Sequence, residues 1–422
     1  MIRWCWTGEH GAVQERRQER RAADTEAAAA PAFANVALVV GSTGTVGAAL
    51  VDMLQSSDAP AGPWKVYALS RRPLPPWCAS EPAVSSSSTS SPNAAAAAAV
   101  VNLQVDLADA AAVAATLAPL ADITHVFYAA WSPRRGSAAA VAYEANRAML
   151  RNVLAAAVPS CPALAHVCLQ AGRDQLVDPY DPVMGTPSAA RHYSEDLPRL
   201  VHPDIEDVLL LELPGFAAGR RDRAAAVTWS VHRPATVFGF SSRSGRNVVS
   251  SLCAYAAICG KEGAALRWPG SRVAWEGFSD ACDAELAAEH ALWAALELRC
   301  KNQALNCTNG DVFKWKQLWP ALAKHFAVEW SGYEGEDKRF KLEEAMAGKE
   351  AVWTEIVGEN DLLETTLDDV TTWWSVDAVI NADQEQVDTM NKSKELGFFG
   401  FRHTVRSFDT WITKLKASRI VP

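Results

Sequence analysis

The stretch Asn35 to Gly47, NVALVVGSTGTVG, decides how the whole chain is read. Val36 to Val40 is an unbroken apolar run, the pattern of a parallel strand buried on both faces. It stops at Gly41, and Gly41, Gly44 and Gly47 then recur with the spacing G-x-x-G-x-x-G, a variant of the dinucleotide fingerprint. Such glycines permit a tight turn, a close approach of backbone to a pyrophosphate, and close packing of the next helix on the strand. A helix from Thr45 to about Leu54 would aim its free N–H groups and positive dipole end at the phosphates. Thr43, Gly44, Thr45 and Val46 are therefore the predicted phosphate cradle.

Outward from this turn the same alternation repeats. Trp64 to Ser70, WKVYALS, predicts a second strand, and Ser70, Arg71 and Arg72 stand at its end. In a doubly wound sheet that position faces the adenosine ribose, where an acid favours a free 2′-hydroxyl and arginine a 2′-phosphate, so NADPH is preferred over NADH. Residues 79–99, with SSSSTSS and an alanine run, have too little large apolar content to specify packing and read as a low-complexity surface insertion. Val100 to Leu107 predicts a third strand; Asp106 at its end either reaches an adenine amino group or caps the helix Ala110 to Leu117. Ile123 to Trp131 predicts a fourth strand whose small residues Ala129 and Ala130, before Trp131, let a cofactor lie close. A helix over Tyr143 to Val158, a fifth strand over Ala165 to Leu169, a short helix from about Asp204 to Leu213 and a sixth strand over Val227 to Arg233 follow. Leu107, Gln170, Ala171, Gly172, Pro234 and Val237 complete the predicted cofactor contacts.

This pattern predicts an α/β fold, a Rossmann-type doubly wound parallel sheet, over residues 34–260. A leader over 1–33 is expected to be mobile. From 261 to 422 helices predominate, among them Ala284 to Leu298 and Trp315 to Phe326, with a strand over Ala304 to Thr308; this mainly helical C-terminal region is expected to cap the substrate. The sixteen tryptophans read mostly as core.

With 422 residues the chain can bury a substantial core. A formal charge of −9 argues against nucleic acid as a partner. The nine cysteines form no C-x-x-C pair and no zinc spacing, so no metal is predicted, and buried thiols in a reducing, cytoplasmic setting are expected. No run approaches the roughly 18 apolar residues of a membrane span. Oligomeric state is open, a homodimer included.

Beyond the glycine turn, GPWKVYALSRRP from Gly62, HVCLQAG from His166, TWSVHRP from Thr228, VFGFS from Val237, NGDVFKWK from Asn309 and MNKSKELGFFGF from Met390 resemble the plant progesterone 5β-reductase and iridoid synthase group, a branch of the extended short-chain dehydrogenases. The resemblance runs from about residue 33 to the C-terminus. It implies NADPH as cofactor and reduction of the carbon–carbon double bond of an α,β-unsaturated carbonyl compound, whether steroid, monoterpenoid or small enone. It also implies a tyrosine hydroxyl, assisted by a lysine, placed where negative charge collects on the carbonyl oxygen.

The chain departs from the family at that pair. Asp174, in Gly172-Arg173-Asp174, occupies the lysine position, so the charge is reversed. After the lead-in Glu195 to Leu200 the segment is shortened, Val201 to Asp207 follow directly, and the family tyrosine is gone. Independently of any alignment, no lysine occurs between Val66 and Gly260, so no Y-x-x-x-K pair exists there. The catalytic donor is thus unassigned, with Tyr180, Tyr193 and His202 as substitutes, each of which has an ordinary packing or loop role as the alternative. Ser375 replaces a bulky family aromatic and would widen the substrate site. Two functions remain: an enone reductase resting on cofactor positioning, and an NADP(H)-binding, catalytically impaired member acting as a binding or regulatory protein.

Overall fold

The computed structural model describes residues 33–73, 75, 100–132, 139–172, 192–197, 205–218 and 226–422. The expected leader (but for residue 33) and the low-complexity insertion lie outside them. Seven strands form one wholly parallel sheet: β1 (Asn35–Val40), β2 (Trp64–Ser70), β3 (Val100–Gln104), β4 (His125–Tyr128), β5 (His166–Gln170), β6 (Thr228–Pro234) and β7 (Gln303–Cys307), in the order β7-β6-β5-β4-β1-β2-β3. The order reverses between β1 and β4, which opens a crevice at their carboxyl ends, where ligands of such sheets bind.

Strand β1 is buried on both faces because each face carries helices. Val36, Leu38 and Val40 pack with the helices Ala110–Leu117, Ala139–Ser160 and Leu213–Ala218, through Val113, Leu150, Val153, Leu154 and Leu213. Ala37 and Val39 face the helices Thr45–Gln55 and Ala284–Leu296, through Val46, Leu50, Ala288 and Leu292. This doubling removes the polar alternation from the sequence of β1.

Most elements fall where the sequence puts them; two differ in a way that matters. The third strand stops at Gln104 rather than Leu107, and Val105 continues only through one amide bond to the Ser70 carbonyl. The sheet's seventh strand and the helix Ala284–Leu296 come from beyond residue 260, so sheet and capping elements interleave along the chain. A sheet edge beside β6 offers unpaired backbone groups, and Gln303–Cys307 pairs with it from Ser230 to Pro234.

The capping part has its own core. Every residue of the helix Val248–Glu262 from Val248 to Cys259 is buried, against the helices Trp315–Phe326 and Thr404–Ala417. Trp268 stacks edge-on to Trp319 at 5.0 Å and lies 5.1 Å from Trp275, so tryptophans account for much of this packing. The seven described cysteines are buried. Among the described residues no helix is long and apolar enough to cross a membrane.

Buried histidines run across the sheet. His166 contacts Thr228 Oγ1 and Ser230 Oγ, each at 2.9 Å; Ser230 continues to His232, and His232 to His290 at 2.8 Å. Burial, reinforced by neighbouring cationic groups, lowers His166 from 6.5 to about 3 and His125 to about 4. Such a group stays neutral in the fold and takes a proton only on unfolding, so stability falls as pH drops below about 6.5. In urea unfolding at pH 7, 6 and 5, His166→Gln should flatten this decline by about one proton relative to wild type; identical slopes would contradict it.

Candidate active site

The crevice between β1 and β4 opens into one cleft of about 1450 Å³ shared by sheet and capping elements. Its floor is the turn after β1. Gly41 has φ +84°, and a Cβ there would lie 2.7 Å from the Ala130 nitrogen. The Gly41 and Ser42 amides both donate to the Leu69 carbonyl, which ties the turn to the end of β2. Gly47 sits above it: a Cβ there would come within 2.1 Å of the Gly41 oxygen. Both positions need glycine because backbone already fills the space a side chain would take.

Of the nineteen residues the sequence assigns to the cofactor, the structure brings eighteen to the cleft: Gly41, Thr43, Gly44, Thr45, Val46, Ser70, Arg71, Arg72, Asp106, Leu107, Ala129, Ala130, Trp131, Gln170, Ala171, Gly172, Pro234 and Val237. Gly47 is the exception. It does not line the cleft, because it faces the turn and lets the helix pack on Gly41. Asp106 is not the helix cap either: Asp109 accepts the Ala112 amide, while Asp106 accepts that of Ala108 and stays at the cleft edge.

Two buried polar atoms at this surface have no partner, the Thr45 hydroxyl and the Gln170 carbonyl oxygen. An unpaired buried acceptor or hydroxyl is unfavourable, so both suit a ligand carrying phosphate, hydroxyl or amide groups. At the other end of the turn stand Arg71 and Arg72. Burial, and then the charges of Arg243 and Arg71, lower the pKa of Arg72 from its ordinary value. The Asp369 carboxylate offsets part of this, and the three arginines together suit an anion.

Arg243 is a residue that sequence reasoning missed. It comes from the loop 241–247, which Asn247 closes by accepting the Ser241 amide and donating to the Ser241 carbonyl. The Ser241 hydroxyl donates to the Thr43 carbonyl, and Arg243 Nε to the Pro73 carbonyl, so the loop is registered on the phosphate cradle. Arg246, Tyr143, Ser132 and Trp374 also line the cleft and were missed. Arginines in a Ser- and Gly-rich loop immediately after VFGFS were the available signal.

Asn146 fixes the wall beyond Ala130. Its amide donates to the Ser132 and Ala142 carbonyls, both at 2.9 Å, and accepts the Ser132 amide at 2.8 Å. On the opposite wall a buried bidentate pair joins Arg233 to Glu206, both contacts 2.9 Å, and holds the helical segment that starts at Ile205. Of the substitute donors, Tyr180 and His202 lie outside the described residues, as does Asp174. Tyr193 is corrected: it is buried in the short strand His192–Tyr193, pairs with Val387–Asp388, packs on Leu197 and does not line the cleft. Among the described residues Tyr143 is the tyrosine that does. Ser375 lines the cleft as expected, its hydroxyl bonded to Thr372.

Residues 37–422 match the model of the PRISE-like Rossmann-fold domain. The chain belongs to that family. A PRISE relative from Arabidopsis thaliana, a 3-oxo-Delta(4,5)-steroid 5-beta-reductase, is 43% identical over 99% of this chain and 100% of its own length. An (S)-8-oxocitronellyl enol synthase from Nepeta racemosa is 44% identical over the same shares. The fold is shared more widely: UDP-glucose 4-epimerase from Thermotoga maritima superposes with a TM-score of 0.56 at 14% identity, covering 91% of this chain and 99% of that one. A Bordetella bronchiseptica enzyme solved with NAD+ gives 0.54 at 12% identity, covering 90% and 98%.

Gly47→Ala should destabilise the protein by about 1–3 kcal/mol, as overpacking does, whereas Gly44→Ala, whose Cβ would meet the Gly41 oxygen at 3.2 Å, should do much less. Thermal unfolding of the two variants side by side checks this, and equal losses would count against the turn as described.

Proposed function

We propose that this PRISE protein is an NADPH-dependent reductase of the carbon–carbon double bond of α,β-unsaturated carbonyl compounds. The observation that carries the reading is that one cleft joins a cradle for dinucleotide phosphates to a chamber faced by Trp131, Phe278, Phe313 and Ser375. The names of the two relatives, a steroid 5-beta-reductase and an oxocitronellyl enol synthase, support the substrate class.

NADPH supplies, when bound, the hydride that adds to the β-carbon. The chain's own part is binding and positioning. The turn amides and the Thr45 hydroxyl suit the diphosphate, and Arg71, Arg72 and Arg243 suit a 2′-phosphate. Ala129 and Ala130 leave room for a flat ring to lie against β4, and the unpaired Gln170 oxygen can accept an amide or hydroxyl hydrogen. With no family tyrosine and lysine, orientation carries more of the acceleration, and charge on the carbonyl oxygen falls to a substitute donor or to water. A natural substrate of steroid, monoterpenoid or small-enone type fits this chamber. The buried thiols suit the cytoplasm.

Arg72→Gln should weaken NADPH by about 10–100-fold, the value of charge-assisted hydrogen bonds, and NADH by less than about threefold. Calorimetric titration of both nucleotides decides it, and equal losses would remove the 2′-phosphate assignment. NADPH oxidation with a small activated enone tests the reaction itself. Tight NADPH binding without turnover would overturn the reductase reading in favour of a catalytically impaired binder.

A further inference from the structure

Arg246 is held in an unusual way for a cleft arginine. Its guanidinium carbon lies 4.3 Å from the centre of the Trp131 ring and 5.9 Å from that of Trp374, and the two indoles are themselves stacked at 6.3 Å. Trp131 extends from the end of β4, next to the Ala129–Ala130 shelf, and Trp374 precedes Ser375 on the helix Trp373–Ile380. The arginine therefore spans the mouth of the chamber from the sheet side to the capping side. Its loop is closed by Asn247, whose own amide donates to Thr372 Oγ1, so Arg246 is presented on a braced segment.

Stacking occupies the flat faces of a guanidinium and leaves its in-plane N–H groups free to donate, in a fork that matches a carboxylate. No carboxylate pairs with Arg246 among the described residues. Seven acids line the cleft among the described residues, and five of them accept backbone amides elsewhere: Asp106 that of Ala108, Asp280 that of Asp388, Asp369 that of Thr366, Asp377 those of Leu342 and Glu343, and Glu385 that of Phe278. The cofactor's charges are also provided for, the diphosphate by the turn and the 2′-phosphate by Arg71, Arg72 and Arg243. Among the described residues Arg246 is the cleft cation left over, and Ser375 lines the same chamber.

We infer that Arg246 is a specificity-determining residue that receives a carboxylate on the substrate, so that the preferred substrates are enones bearing an acid group. The inference rests on the reductase reading for its substrate class. The carboxylate meets the N–H edge of the guanidinium while Trp131 backs one of its faces, and this contact sets how deep the enone sits.

The test compares 7-oxooct-5-enoate with its methyl ester, which carry the same enone, separated from the acid group by three methylenes, and differ in charge. Wild type should show the higher kcat/KM on the acid, chiefly through KM. In Arg246→Met, which keeps an apolar stem against the tryptophans, the acid-to-ester ratio should fall by about 10–100-fold, and Arg246→Lys should restore part of it. A wild type with no preference for the acid, or a ratio unchanged in Arg246→Met, would overturn the inference. Weaker NADPH binding in Arg246→Met with that ratio unchanged would assign the residue to the cofactor diphosphate instead. If neither compound is turned over, the reductase reading fails by itself, and calorimetry on the NADP+-loaded protein decides the subsite. Saturable binding of the acid that is lost in Arg246→Met supports it, and equal behaviour of acid and ester overturns it.

Discussion

The cleft depends on a contact between backbones. Gly41 is pressed against the Ala129–Ala130 segment at the point where the strand order reverses, and Gly47 lies on the Gly41 carbonyl from the other side. Three pieces of chain, the end of β1, the end of β4 and the first turn of the following helix, thus meet with no side chain between them. The Ser241 hydroxyl on the Thr43 carbonyl then registers the capping loop on the same turn. A Cβ at Gly47 would therefore move the phosphate cradle and, through Ser241, the arginines of the loop 241–247 together.

How much of this was legible in the sequence follows from the range of the forces involved. Trp64–Ser70, Ala110–Leu117 and Trp315–Phe326 were readable to the residue because local pattern and burial agree there. The third strand was read too long because Val105 and Leu107 are buried and apolar yet leave the ladder; burial alone does not define a strand. The seventh strand was visible as a strand, but its place beside β6 is set by long-range pairing that no local window contains. The tight turn after β1 was legible because glycine spacing reports backbone geometry directly.

Arg243 and Arg246 were not legible, since a loop arginine carries no periodic signal and its role comes from what folds against it. Tyr193 takes the packing role given as its alternative: pairing of His192–Tyr193 with Val387–Asp388 makes it core. The π-helical turn Val208–Glu212 was likewise beyond a helix pattern read at ordinary spacing. Such turns add a residue to one helical turn and recur near functional sites. Here the turn follows Glu206, whose buried pair with Arg233 anchors the segment.

The kind of cation in the cleft limits the chemistry it can support. Among the described residues the cations lining it are arginines, Arg71, Arg72, Arg243 and Arg246, and no lysine lines it. Lysine can lose its proton when buried and so take part in proton transfer, whereas arginine stays charged at any working pH. These four side chains can hold anions and steer them into an otherwise acidic protein, but they cannot relay a proton to an enolate. The proton must come from a hydroxyl, an imidazole or water, and the pH dependence of turnover would then report that donor rather than any cation of the cleft.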